Sequence, residues 1–283
     1  MVNFSAKYAF NYMDFNLRDM FANVASVSTA RNLDVGDTRY AFSYVYSNPT
    51  APDYVISGSG LHINAMGYVF GTASVLSAGI YNGGSKPSFR PSWIIDHAVL
   101  DVTKLTAAAL SASTADDGVV FKAIFAGNDS IQLSSGDDFF CGFAGNDTMN
   151  GGGGDDFLAG DTGVDRLYGG LGADTLHGGG GTDYFVFGRP DESRIAVPSR
   201  DMILDFKRGV DKIHLAGMDA NAKLSGDQSF AFHAANVKHG YDIWYVKSGA
   251  DVIVYGDTDG ISGADFSILL KNVSALSASD FVL

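Results

Sequence analysis

Glutamate is nearly missing from this chain of 283 residues: of its 32 acidic side chains, 31 are aspartate and only Glu192 is glutamate. Glutamate suits helix interiors, whereas aspartate competes with the backbone for hydrogen bonds and favours turns. A helical bundle or coiled coil is thereby excluded. Base is short as well, with 19 Lys and Arg for a net charge of −13 and a pI near 4.6. That balance excludes nucleic acid and anionic membranes as partners. The single cysteine, Cys141, cannot form an internal disulfide and reads as an unreactive thiol, so a small disulfide scaffold is ruled out. No apolar run approaches the ~18 residues that suggest a membrane span. The opening residues lack a basic stretch followed by a long apolar core, and Asp14, Arg18 and Asp19 arrive too soon for a secretory signal peptide. Those absences alone point to the cytosol.

Catalytic signatures are scarce too. There is no His-Glu-x-x-His, which a chain with one glutamate all but forbids. Gly58-Ser59-Gly60 is flanked by Ser57 and Leu61, so it is a turn and not a nucleophile elbow. His62 and Asp96-His97 have no spacing that pairs them.

What the chain does have is glycine, 35 residues of it, with 46% hydrophobic and 12% aromatic side chains, enough to pack a core and exclude wholesale disorder. From Ile124 to Val186 it reads IFAGNDSIQ, LSSGDDFFC, GFAGNDTMN, GGGGDDFLA, GDTGVDRLY, GGLGADTLH, GGGGTDYFV: seven nonapeptides in unbroken register. The fourth position is always glycine (Gly127, Gly136, Gly145, Gly154, Gly163, Gly172, Gly181). The sixth is always aspartate (Asp129, Asp138, Asp147, Asp156, Asp165, Asp174, Asp183). The eighth is always large and apolar (Ile131, Phe140, Met149, Leu158, Leu167, Leu176, Phe185), which a glycine-rich linker would not maintain.

Each unit is a six-residue glycine-rich turn followed by a strand of three. A strand that short cannot bury itself, so units must stack, with the eighth-position side chains forming an internal ladder. Glycine permits positive φ and brings carbonyls close together. The sixth-position aspartates then stand in files beside those carbonyls, and their mutual repulsion demands a counter-ion. Carboxylate and carbonyl oxygens in a flexible frame suit calcium better than zinc or copper. If two units make one coil, Asp129, Asp147, Asp165 and Asp183 form one file and Asp138, Asp156 and Asp174 the other, leaving five gaps for five ions. Ten aspartates against Arg166 give residues 124–186 a charge of −9, close to the +10 of five calcium ions. Candidate ligands are the seven sixth-position aspartates and seven fourth-position glycines, with Asn128, Asp137, Asn146 and Asp155 at position five. Position five drifts to Val164, Ala173 and Thr182, and the first positions drift at Ser134-Ser135, Phe143-Ala144 and Asp161, so affinities should be unequal along the stack.

This segment resembles the calcium-binding β-roll of repeats-in-toxin (RTX) proteins. Beyond it, Asp201-Met202-Ile203-Leu204-Asp205-Phe206, then Gly209-Val210-Asp211-Lys212-Ile213-His214-Leu215, resembles the C-terminal region of serralysin-type secreted proteases, with His214 in place of an aspartate. Tyr255-Gly256-Asp257-Thr258-Asp259-Gly260 is similar to that family's Asp-x-Asp-Gly loop, and the resemblance implies a site for a further calcium there. The end, Ser279-Asp280-Phe281-Val282-Leu283, looks like the uncleaved signal read by type I secretion ABC exporters. The resemblance therefore reverses the cytosolic expectation: it implies export by the C-terminal route and an extracellular, cell-surface-associated protein whose roll folds on meeting calcium outside the cell. Protease activity is not implied, because the zinc motif is missing.

The expected fold is all-β dominated: a parallel β-roll (β-solenoid) with calcium-filled turns between two β-rich regions. Residues 1–113 form a β-rich module, 114–126 a helical cap, 124–188 the roll, and 189–283 a C-terminal β-rich region with the secretion signal. In the module, residues 14–25 read as a short helix. Alternation over Arg39–Tyr46, Asp53–Asn64, Gly67–Tyr81 and Ser92–Val102 reads as strands of a sandwich or solenoid. Thr106–Ser113 and Ala115–Phe125 read as helical, the second with Thr114 as N-cap. Tyr40, Tyr44, Tyr46, Tyr68, Tyr81 and Trp93 offer either core aromatics or a sugar-stacking face. The expected role is that of an adhesin-like component binding an extracellular polysaccharide or cell-surface glycan; the alternative is a secreted hydrolase or polysaccharide-modifying enzyme with its site in residues 1–113.

Overall fold

A computed structural model describes the backbone of the strands between Asn3 and Asp101, and residues 115–283 except 222, 235–239 and 262. The chain divides into two compact units, Met1–Ile131 and Gln132–Leu283.

In the first unit an antiparallel meander runs Ser26–Ala30, Phe42–Ser47, Asp53–Gly58, Val75–Asn82 and Ser88–Asp96, and Asn3–Ala6 pairs with the last of these. Two short ladders, His62–Ile63 with Val69–Phe70 and Leu100–Asp101 with Thr72–Ala73, accompany it. Strands thus occupy all four alternating runs, shifted by a few residues at their ends. Residues 14–25 and 106–113, the side chains of His62, Asp96 and His97, and the six candidate aromatics lie outside what is described. The helix expected next spans Ala115–Ile124, with Lys122 in its last turn, where a cation is favourable. Phe121 and Phe125, one turn apart, are buried with ring centroids 4.8 Å apart. Among the described residues no helix is long and apolar enough to cross a membrane.

The second unit is built on the nonapeptide. Thr148 pairs with Arg166 and Phe157 with Thr175, each a parallel step of 18 residues, so two units do make one coil. Odd units stack into one sheet (Thr148–Gly153, Arg166–Leu171, Tyr184–Val186) and even units into a second (Phe139–Cys141, Phe157–Ala159, Thr175–His177). Because successive side chains on a strand point to opposite faces, the middle residue of each enters the core. Phe140, Met149, Leu158, Leu167, Leu176 and Phe185 are each 0% exposed. Burying such a side chain is worth about 1.5–3 kcal/mol, so the ladder is the main stabilising element of the coils.

The nine-residue period stops at Val186, but the stack does not. Asp201–Ile203 pairs in parallel with Thr175–His177, and Lys212–His214 with Tyr184–Val186, placing Ile203 on Leu176 and Ile213 on Phe185. Phe266–Leu270 and Phe281–Val282 add one further strand to each sheet. Beyond Phe266–Leu270 the strands Asp251–Gly256 and Asp242–Ser248 run antiparallel, and Ala231–His233 closes the sheet. The fold is the RTX-type parallel β-roll that the repeats predict, continued by an aperiodic extension.

Candidate calcium sites

The turns are packed too closely for side chains. Gly163 and Gly181, at position four, have φ of 146° and 139°, and a Cβ on either would lie 1.7 Å from the carbonyl oxygen of the position-four glycine one coil earlier. At position two, a Cβ on Gly179 would lie 2.0 Å from Asp161 O and one on Gly170 2.4 Å from Gly152 O. Carbonyls of positions two and four therefore pile up along each edge of the roll. Phe143 and Asp161 occupy position two with φ of 69°, keeping the left-handed turn although a side chain there costs about 1–2 kcal/mol.

The sixth-position aspartates stand beside these carbonyls in the two expected files. Along each file, one carboxylate oxygen accepts the N–H of the aspartate one coil earlier: Asp156 Oδ1 from Asp138, Asp165 from Asp147, Asp174 from Asp156 and Asp183 from Asp165, at 2.8–3.1 Å. The other oxygen is the informative one. Oδ2 of Asp156, Asp165, Asp174 and Asp183 is buried and accepts no hydrogen bond, although each residue is at most 2% exposed. A Cβ on Gly160 would lie 2.3 Å from Asp165 Oδ2 and 2.8 Å from Gly178 O, so this oxygen faces backbone carbonyls. A buried anionic oxygen among carbonyls and further carboxylates is severely unfavourable without a cation.

Electrostatics agree with the geometry. Burial is the largest cause pushing the Asp156 carboxyl up to about 8, that of Asp165 to about 6 and that of Asp174 to about 7. The stacked N–H bonds pull each down, and the neighbouring carboxylates push it up again. The Asp183 carboxyl is raised by the same burial. Oxygen donors only, several of them anionic, in a frame of glycine carbonyls form a set that fits calcium.

Asp138 differs from its file. Its Oδ2 accepts the N–H and hydroxyl of Ser134 at 2.9 and 2.8 Å. Position five also has its own arrangement. Oδ1 of Asp137, Asn146 and Asp155 accepts the N–H of Asp155, Val164 and Ala173 respectively, at 2.8–2.9 Å, on the exposed side of the turns. Asn128, Asp129 and Gly127 belong to the first unit, where Asp129 is buried.

Three acids outside the nonapeptides join the files. Asp201 Oδ1 accepts from Asp174 N at 3.0 Å and Asp211 Oδ1 from Asp183 N at 3.1 Å, continuing each file by steps of 27 and 28 residues. Asp201 is 0% exposed, its Oδ2 has no hydrogen bond, and burial together with Asp174 raises its carboxyl to about 9. Glu192, the sole glutamate, is raised by burial and adds to the repulsion felt by Asp174 and Asp201. Ser193 beside it is buried, and its hydroxyl accepts Asp201 N at 2.9 Å. Asp-x-Ile at 201–203 and 211–213 repeats the sixth-to-eighth pattern of the units, and that was the available signal.

Asp257, Asp259 and Asp265 bring one carboxylate oxygen each within 4.8 Å of one another. Asp257 Oδ1 is already held by Gly260 N at 2.7 Å, and Asp265 Oδ2 by the N–H and hydroxyl of Thr258. His214 is half-buried at the end of its strand, edge-on to Tyr184, and Cys141 is buried.

No curated protein matches this chain. Among solved structures, the AlgE6R3 and AlgE6R2 subunits of the Azotobacter vinelandii mannuronan C5-epimerase are each 25% identical over 55% of this chain, covering 78% and 88% of their own, with TM-scores of 0.28 and 0.29. Residues 101–283, more than half of the sequence, match the family described as Peptidase M10 serralysin C terminal. With its repeats and buried acid files, the chain belongs to the serralysin C-terminal family of Peptidase M10 and is a calcium-binding RTX repeat protein.

Proposed function

We propose that this is a secreted protein whose roll folds only when calcium fills the gaps between coils. The buried, hydrogen-bond-free Oδ2 atoms of Asp156, Asp165, Asp174 and Asp183 carry this reading. Each gap would be held by these oxygens with backbone carbonyls of the glycine turns, such as Gly169 O and Gly178 O beside Asp156 and Asp165; bound calcium supplies the positive charge that lets the carboxylates stay ionised and buried. Five gaps follow from the nonapeptide files, and Asp174, Asp201 and Glu192 supply a sixth. At the low calcium of the cytosol the aspartates repel one another, and the chain remains open for a type I ABC exporter. At the higher calcium outside, binding free energy becomes folding free energy. Residues 124–188 are then the roll, 114–126 its cap, and 189–283 the region that carries the export signal. A circular dichroism titration tests this: β structure should appear with calcium and vanish with chelator, and full structure in excess chelator at neutral pH would overturn it.

Residues 1–113 carry the biological specificity in this reading, as an adhesin-like module that the roll presents at the cell surface or in the matrix. The scarcity of catalytic motifs and the antiparallel strand run support binding of a polysaccharide or glycan over chemistry. The calcium-loaded chain on a glycan array should show selective retention; a blank array would remove the adhesin role while leaving the calcium role standing.

A further inference from the structure

The two edges of the stack end differently. On the edge formed by even units, the last carboxylate, Asp201, keeps a buried Oδ2 without a hydrogen bond, as do Asp156 and Asp174 below it. On the odd edge the last carboxylate, Asp211, has both oxygens engaged by the backbone. Its Oδ1 accepts from Asp183 N at 3.1 Å and its Oδ2 from Lys207 N at 2.7 Å. The turn that carries Asp211 brings a cation of its own. Lys207 Nζ donates to the carbonyl of Gly179. That carbonyl sits at position two, and one coil below, its counterpart Asp161 O is turned toward the next turn of the roll. Asp205 fixes the arrangement by accepting Gly178 N at 2.9 Å and Gly179 N at 2.7 Å, with His177 Nε2 3.4 Å from its Oδ2. Burial raises the carboxyls of Asp183 and Asp211, and the Lys207 charge is among the causes that draw both down.

We infer that the Lys207 ammonium is the resident cation of the last odd-edge gap, standing where a metal ion stands in the gaps below, so that this gap takes up no calcium. The inference rests on the calcium reading of the roll. A tethered ammonium needs no capture from solution, so the stack keeps a counter-charge at this corner when calcium is scarce. At its partner corner, formed by Asp174, Asp201 and Glu192, the nearby Arg189 guanidinium is paired with Asp191, and Asp201 Oδ2 stays without a hydrogen bond, so this corner depends on the ion. The aperiodic extension is thereby joined to the roll by a metal on one edge and by a side chain on the other.

Native mass spectrometry of the full chain at saturating calcium tests the assignment. Lys207→Gln removes the ammonium and should bind one calcium more than the wild type, whereas Lys247→Gln, at an exposed strand position, should match the wild type. Equal counts in all three chains overturn the inference while leaving the calcium reading intact. No uptake by any of them removes the calcium reading and this inference with it. A second measurement needs no variant: in the calcium-loaded wild type, Lys207 should be acetylated severalfold more slowly than Lys247, and equal rates would refute the contact.

Discussion

Removing calcium at neutral pH and at mildly acid pH should have opposite consequences for the roll. Asp156, Asp165, Asp174 and Asp201 have carboxyls raised by burial to about 8, 6, 7 and 9 in the metal-free fold. In the unfolded chain an aspartate titrates near 3.9. The folded state therefore binds more protons than the unfolded one between these limits, and its stability falls as pH rises through them. At about 1.4 kcal/mol per pH unit for each group, keeping these four buried at pH 7.5 costs roughly 17 kcal/mol. That exceeds the whole stability of an ordinary domain, about 5–15 kcal/mol. The chelated chain should accordingly be open at pH 7.5 and recover β structure near pH 4.5, where protons neutralise the files. Much lower pH should not help further, because Asp280, whose carboxyl is lowered by bonds from Gly209 and Ser277 that outweigh its burial, loses its contribution once it protonates. Far-ultraviolet circular dichroism and the fluorescence of buried Trp244 in excess chelator, followed from pH 8 to pH 4, provide the readout. A chelated chain equally structured at both ends of that range, or more structured at pH 7.5, would refute the reasoning.

Three further outcomes follow from particular contacts. Leu176→Ala, in the completely buried ladder, should cost about 2–5 kcal/mol and raise the calcium concentration at the folding midpoint without changing the number of ions bound. Ser134→Gly should release Asp138 Oδ2 and tighten the weakest even-edge gap, seen in calorimetry as loss of a low-affinity phase; an unchanged isotherm would count against the hydroxyl as a competitor. Asp201→Asn should abolish one calcium by native mass spectrometry and loosen residues 188–203 in hydrogen exchange, and retention of the full count would exclude the Asp174–Asp201 gap.

Much of the roll was legible because its physics is local and repeated. A strand of three residues admits one inward side chain, so a large apolar residue every nine positions locates Phe140, Leu158, Leu167 and Phe185 in the core without any knowledge of tertiary structure. The pairing of units into 18-residue coils was a supposition that the charge count matched, and the parallel steps from Thr148 to Arg166 and Phe157 to Thr175 establish it. The continuation was harder to see, since its steps of 27 and 28 residues break the nine-residue period and pass through loops without the spaced glycines of the turns. Only the short Asp-x-Ile pattern survives there. Adjacent acids posed a different difficulty. Asp155 and Asp156 are chemically alike in the sequence, yet the turn geometry sends Asp155 to the N–H of Ala173 in the next coil and leaves Asp156 Oδ2 buried without a hydrogen bond. Ser134 shows the same limit: a drift from consensus marks a difference in affinity, but its direction depends on whether the hydroxyl reaches Asp138.

Why the period should stop at all is a question of ends. A parallel stack grows by adding identical coils, so its last coil always exposes unpaired backbone and one unshielded row of carboxylates. Seven units leave that surface at Leu176 and Phe185. The extension first copies the coil, laying Ile203 and Ile213 on the two ladders and Asp201 and Asp211 on the two files. It then departs from it step by step. Phe266–Leu270 still runs parallel to the roll, but Asp251–Gly256 runs against it and Asp242–Ser248 turns back again, and such hairpins close without another glycine turn. On the other sheet Phe281–Val282 covers Ile213–His214, and Asp280 is buried with its oxygens taken by Gly209 and Ser277. On the odd edge the terminal acids Asp211 and Asp280 are thus satisfied by backbone N–H groups, whereas Asp201 on the even edge keeps a bare Oδ2. On that odd edge, backbone N–H groups and the Lys207 ammonium end the row of bare carboxylates, and the reversed strands Asp251–Gly256 and Asp242–Ser248 end the other sheet.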